Sequence, residues 1–246
     1  MHMFVLCDGI GDLGAQVVAV SAQHIVEFIK DKLSGVCRGT INKEYFSKLS
    51  SEAFSNCTEA LTEKEISLIS SGCTCVVGLI VADIIYTAHV GDSRLIVGSQ
   101  YLEGFSVQNL THDHVLTNTE ELNRIGAAVA HYNLTSGVFQ KDDYDIPLTR
   151  SIGCTEMGHI GMTSTPEVKA FKMTQYDDYL LVGSQGLFRL MTENQCMTLV
   201  QDEYQKTNLE RAADRLKSEL RHRQRSSSLL EEFSFILIRI SLVIRK

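Results

Sequence analysis

Residues Gly72 to Val97 read GCTCVVGLIVADIIYTAHVGDSRLIV, and this stretch decides the fold class. Gly72 to Val81, Ile84 to Val90 and Leu95 to Val97 are apolar runs rich in β-branched residues. Ala82-Asp83 and Gly91-Asp92-Ser93 separate them, so they read as a strand meander with tight turns. Upstream, Met3 to Cys7 is a short apolar run that ends in Asp8-Gly9, a buried strand and then a turn. From Leu13 to Leu33, Val17, Val20, His24, Ile25 and Phe28 recur at helical spacing on one face. A second helix is predicted over Lys43 to Ile69, with a break near Cys57-Thr58. Downstream, Thr117 to Val129, Thr192 to Gln201 and Asn208 to Leu220 read as helices. Thr192 and Gln195 have the spacing of a capping box. Val168 to Met173, Tyr179 to Val182 and Phe233 to Ile240 read as strands. Strands and helices come in blocks rather than in strict alternation. That favours an antiparallel α+β layer architecture over a doubly wound parallel sheet.

Composition narrows the function classes. With 246 residues, 44% of them hydrophobic, the chain can bury a large core without disulfide or metal staples. The formal net charge of −7 argues against a nucleic-acid binder that neutralises phosphates. The seven cysteines are scattered, with no CxxC pair and no Cys/His zinc spacing, so they read as free thiols in a reducing cytoplasm. The N-terminus has no signal-peptide pattern. The most apolar stretch, Phe233 to Ile244, is interrupted by Arg239 and too short for a membrane span. Arg221 to Ser228 is linker-like, but a strand follows it, so a single domain over residues 1–246 is expected.

The chemistry lies in acids at strand ends. Asp8-Gly9, Asp92 and the pair Glu231-Glu232 all sit beside predicted strands. Carboxylates and a glycine carbonyl make a ligand set for hard cations such as Mg²⁺ or Mn²⁺. Each of these alone is more commonly an ordinary turn.

Their order along the chain resembles the PP2C (PPM) family of metal-dependent serine/threonine phosphatases. Phe4 to Asp12 is similar to the family's strand followed by Asp-Gly-His-Gly-Gly. Gly72-Cys73-Thr74 with His89 to Arg94 resembles its Gly-Ser/Cys-Thr strand and Val-Gly-Asp-Ser-Arg turn. Leu110 to His114 with Glu120-Glu121 and Arg124-Ile125 is similar to its Leu-Thr-x-Asp-His and Glu-x-x-Arg-Ile segments. Leu148 to Gly153 with Thr165 to Val168, and Asp178 to Phe188, match two further segments in the same order. Thr149 to Thr155 is also similar to the PHLPP-type branch, which carries leucine-rich repeats. A larger leucine-rich-repeat parent protein is therefore an open expectation.

The resemblance implies a four-layer α-β-β-α sandwich of two mainly antiparallel sheets flanked by helices. It also implies a pair of Mg²⁺ or Mn²⁺ ions whose bridging water attacks phosphoserine or phosphothreonine. Asp8, the Gly9 carbonyl, Asp92 and Glu231 fall on metal-associated positions, with Glu232 beside them. Four positions depart from the pattern. Gln185 stands where a metal-ligating aspartate belongs, Arg189 where a second acid belongs and Cys154 where an aspartate belongs. Ile10 replaces the histidine that acts as general acid, and isoleucine cannot donate a proton. The family's leading Arg and Glu-Asp segment has no counterpart before Met1.

Two expectations follow. One is a pseudophosphatase with a regulatory or scaffolding role toward a phosphoprotein or signalling partner, its Mg²⁺ or Mn²⁺ reduced or lost. The other is a weak, atypical Mg²⁺/Mn²⁺-dependent phosphatase in which Arg189 or another base binds phosphate. His112, His114 and His131 are expected in solvated or hydrogen-bonded roles, Arg94 and Arg150 in scaffold roles, and Arg211 to Arg225 as a solvated basic helix face.

Overall fold

The computed structural model describes residues 1–126, 132–133, 138–141, 144–227 and 231–240. Strand β1 (His2–Ile10) leads into helix α1 (Gly14–Leu33) and helix α2 (Lys43–Glu63). Then come β2 (Gly72–Val81), β3 (Ile84–Val90), β4 (Arg94–Tyr101) and β5 (Gly104–Asn109). Helix α3 (Thr119–Ile125) precedes the short strands β6 (Tyr132–Asn133), β7 (Val138–Lys141), β8 (Tyr144–Ile146) and β9 (Ile152–Gly153). The chain closes with β10 (Glu167–Lys172), β11 (Asp177–Gly183), α4 (Gln185–Leu190), α5 (Glu193–Lys206), α6 (Leu209–Ser226) and β12 (Phe235–Arg239).

One sheet has the order β1-β2-β3-β10, with β9 also on β2, and the other has the order β12-β11-β4-β5. Every pairing in both is antiparallel. Side-chain alternation on β4 and β11 explains the layers. Leu95, Val97, Leu180 and Val182 face the first sheet, where they meet Leu6, Val76, Ile80 and Ile85. Ile96, Tyr179 and Leu181 face the other way, onto Met197, Val200, Leu216 and Leu220 of α5 and α6. The outer face of the first sheet is covered by α1 and α2 through Ile25, Ile29, Phe46 and Phe54. Strand β2 is buried along its whole length, which is why it reads as an unbroken apolar run. Each such Leu, Ile or Phe contributes roughly 1.5–3 kcal/mol of burial. The result is the expected α+β four-layer sandwich. Among the described residues, no helix is long and apolar enough to cross a membrane.

The predicted break at Cys57-Thr58 does not occur, and α2 runs unbroken. Cys57 continues the buried stripe of Ala53, Phe54 and Leu61, and the Thr58 hydroxyl donates to the Phe54 carbonyl at 3.2 Å. Asn42 caps the start of α2 by accepting from Tyr45 N at 2.8 Å. The capping box of Thr192 and Gln195 is present at the start of α5. Helix α3 spans Thr119–Ile125, and residues 127–129 of the predicted helix lie outside the described residues.

Glu121 anchors α3 from within the fold, at 1% exposure. It accepts from Arg150 at 2.5 Å, from Thr149 Oγ1 at 2.6 Å and from Arg124 at 2.8 Å. Burial alone would raise its carboxyl, but the two guanidiniums and the hydroxyl hold it well below the usual carboxylate range. A depressed pKa means this stabilisation is present above the unfolded carboxylate pKa and lost as pH falls. Glu121→Gln should cost about 3 kcal/mol at neutral pH, because it strands buried guanidinium charge. Urea midpoints measured across the acid range should show that cost shrinking as pH drops through the carboxylate range.

Candidate functional site

The site is assembled at one end of the sandwich, around Thr74. In the β1–β2 register, Asp8 lies opposite Thr74 and Gly9 opposite Cys73. Thr74 Oγ1 lies 2.7 Å from Ser93 Oγ, on the turn between β3 and β4. Gly91 in that turn has φ +91°, and a Cβ there would come within 2.5 Å of Thr74 Cγ2. Only glycine fits such an approach at positive φ, and Asp92 follows it. Gly9 is equally confined, since a Cβ would sit 2.8 Å from the Gly14 carbonyl carbon at the start of α1.

Helix α4 closes the site from the second sheet. Ser184 N donates to the Ser234 carbonyl at 3.0 Å, and Ser234 N donates to Ser184 Oγ at 3.1 Å. A Cβ on Gly186 would fall 1.9 Å from the Glu232 carbonyl oxygen. The segment carrying Glu231 and Glu232 is thus clamped onto the first turn of α4. Arg189, one turn beyond Gln185, donates from Nη1 to Glu231 Oε1 at 2.7 Å.

Burial and like charge act on the acids at this end of the sandwich. The Asp8 carboxyl is raised by burial and by the charges of Glu232 and Glu231, while the Gly9 N–H opposes the rise. Asp92, 6% exposed, is pushed up to about 7 by burial, then by Asp113 and Asp8, with Arg189 pulling the other way. Asp113 itself is held in a fork by Arg94, at 2.8 and 2.6 Å. The same Arg94 guanidinium bonds Glu193 and lies 5.2 Å over the Phe188 ring. Gln185 Oε1 is buried, with no hydrogen-bond partner among the described residues.

The structure thus brings together Asp8, Gly9, Asp92, Arg189, Glu231 and Glu232, with Gln185 on the clamped helix between them. Ile10 and Cys154 border an apolar cluster that includes Leu116, Ile125, Leu148 and Met157. Cys154 has φ +50° and lies against Gly72, and burial pushes its thiol up to about 11. Asp113 completes the acidic wall. Its signal was the Leu110–His114 motif, which marks the segment but not its approach to Asp92.

Behind the Asp92 turn lies a second cluster that sequence reasoning missed. His89 and His114 stack with centroids 4.4 Å apart, and ligand atoms of His89, His114 and Glu167 lie within 4.8 Å of one another. Such a set could gather a metal ion. Without one, His114 Nδ1 accepts from Gly91 N at 3.1 Å, which leaves the ring proton on Nε2, 3.4 Å from Glu167 Oε2. His89 Nε2 lies 2.8 Å from the His112 carbonyl and so carries the proton on that nitrogen. The cluster therefore braces the Gly91-Asp92 turn by hydrogen bonds. His114 sits in the predicted loop but is fully buried, whereas His112 is exposed. His131 lies outside the described residues.

This architecture, with acids gathered at the sandwich end, is that of a PP2C-type phosphatase domain. The Protein phosphatase 2C family profile matches residues 2–229, and the chain belongs to that family. "Probable protein phosphatase 2C 35" of Arabidopsis thaliana is 25% identical over 226 residues, covering 81% of this chain and 63% of that protein. "Probable protein phosphatase 2C 6" of Paramecium tetraurelia is 26% identical over 245 residues, covering 89% and 76%. The crystal structure of serine-threonine phosphatase 2C from Toxoplasma gondii superposes with a TM-score of 0.76 at 16% identity. That match covers 96% of this chain and 84% of the other, and it shows the shared fold.

The family is generally Mg²⁺- or Mn²⁺-dependent. The residues present do not fit a pair of such ions. Gln185 offers a neutral oxygen, and the Glu231 carboxylate is already neutralised by Arg189. With Arg189 on Glu231, the oxygens left to a cation are those of Asp8, the Gly9 carbonyl, Asp92, Glu232 and the neutral Gln185 Oε1, a set short of the charge that two divalent ions need.

Asp92 also sets a pH dependence. Its folded pKa lies above its unfolded value, so the native state keeps a proton that the unfolded chain releases between about pH 4 and about pH 7. Stability from this group is therefore lost as pH rises through that window. In metal-free buffer, Asp92→Asn should raise the free energy of unfolding above about pH 7 by about 1–3 kcal/mol and leave it nearly unchanged near pH 4. Chemical denaturation at the two pH values checks this.

Proposed function

We propose that this chain is a degenerate PP2C-like domain, a pseudophosphatase that serves as a regulatory or scaffolding module. The observation that carries this reading is Gln185, a neutral side chain that brings no charge to a cation at the place of the family's aspartate. Two-metal hydrolysis needs carboxylates to hold both ions and a proton donor for the leaving group. Gln185 and Arg189 stand against the first requirement, and Ile10 against the second. The preserved scaffold then offers a folded surface to a phosphoprotein or signalling partner. We place it in the reducing cytoplasm on the strength of its free thiols, and a leucine-rich-repeat context belongs to the same proposal. The chain spans 63% of the length of its Arabidopsis relative, so the partners of any whole protein belong to the proposal too.

A second reading has one specific observation in its favour. Asp8 and Asp92 still converge, and the raised pKa of Asp92 marks a buried carboxylate short of positive charge. A single Mg²⁺ or Mn²⁺ there would suit a weak, atypical serine/threonine phosphatase, with Arg189 on the phosphate.

The two readings separate on phosphate release from a phosphoserine peptide in millimolar Mn²⁺, comparing the wild type with Asp8→Ala. The pseudophosphatase reading predicts equal, background rates. Mn²⁺-stimulated release that disappears in Asp8→Ala would overturn it, provided both proteins melt at similar temperatures.

A further inference from the structure

We infer that Arg189 is a built-in counter-cation that holds the acidic centre together and keeps divalent ions out of it. The inference rests on the reading of this centre as eroded, and it names the residue that maintains the eroded state.

The geometry fixes Arg189 where a cation has most effect. Helix α4 and the Glu231-Glu232 segment are clamped by the reciprocal bonds of Ser184 and Ser234 and by the contact of Gly186 with the Glu232 carbonyl. Glu231 is held from its other side, where Gln224 Nε2 donates to its carbonyl oxygen. The guanidinium therefore meets the Glu231 carboxylate from a short, braced helix rather than from a free loop.

The charge balance makes this contact necessary. Asp8 feels the like charges of Glu232 and Glu231, and Asp92 those of Asp113 and Asp8. The other nearby guanidinium, Arg94, is committed to Asp113 and Glu193. Among the described residues, Arg189 is the guanidinium that pairs with Glu231, and it stays charged at every accessible pH. A divalent ion seeking the Glu231 carboxylate must break the 2.7 Å bond from Nη1 and then sit beside a fixed positive charge. Arg189 is itself 49% exposed on its side chain, so replacing it removes charge without opening the core.

The test uses the whole chain and the metal alone, with Arg189→Gln and Arg189→Lys variants. Isothermal titration with MnCl₂ and thermal melts with and without Mn²⁺ are the readouts. In metal-free buffer, Arg189→Gln should melt several degrees below the wild type, and millimolar Mn²⁺ should restore most of the loss. Its Mn²⁺ affinity should exceed the wild type's by about tenfold, and Arg189→Lys should behave as the wild type. Equal affinity in wild type and Arg189→Gln, including no detectable binding to either, would overturn the inference. So would an Arg189→Gln melting point that Mn²⁺ does not move. Phosphate release by the wild type is a separate matter, since it would sink the pseudophosphatase reading whatever the affinity ratio.

Discussion

The acidic end of this molecule depends on how Thr74 is packed. Its register pairing places Asp8 beside it, its hydroxyl meets Ser93, and its methyl group leaves room only for a glycine at position 91. One β-branched side chain therefore fixes the separation of two carboxylates 84 residues apart in sequence, Asp8 and Asp92. Both sheets contribute, because Thr74 lies on the first and the turn it contacts feeds β4 of the second. The shape of the site is a consequence of how the sheets are joined.

Two departures from the family pattern lie on one helix. Gln185 and Arg189 lie one turn apart on α4, and they alter the charge of the same wall. The glutamine removes a negative charge, and the arginine adds a positive one that Glu231 then binds. Asp92 shows the other side of the balance, a buried carboxylate whose pKa climbs because burial and neighbouring acids outweigh the single guanidinium. Supporting interactions have been kept intact by comparison. Arg94 on Asp113, and Arg124 and Arg150 on Glu121, are fully engaged, and these pairs hold the loops around the site.

Much of this was legible in the sequence, for reasons that differ by element. The alternation in Leu95-Ile96-Val97 and Tyr179-Leu180-Leu181-Val182 is a local signal, and it placed β4 and β11 correctly. The order of motifs carried the fold and brought Asp8, Asp92 and Glu231 to one end. What stayed hidden depends on long-range contacts. The burial of His114 follows from stacking on His89, 25 residues away. The pairing of Arg189 with Glu231 spans 42 residues. The break expected at Cys57-Thr58 is absent because the thiol packs in the core and the hydroxyl bonds within its own helix. Strand β5 and helix α4 are short, and too few residues repeat in them for periodicity to speak.

On the proposed reading, this PP2C-family centre does not hold a pair of divalent ions. That reading is tested most directly by an anomalous difference map from crystals grown in millimolar Mn²⁺, recorded above and below the manganese absorption edge. The account predicts no pair of peaks flanking the Asp8 carboxylate, with Arg189 still on Glu231. Two strong manganese peaks bridged by Asp8, with Arg189 swung away, would contradict it.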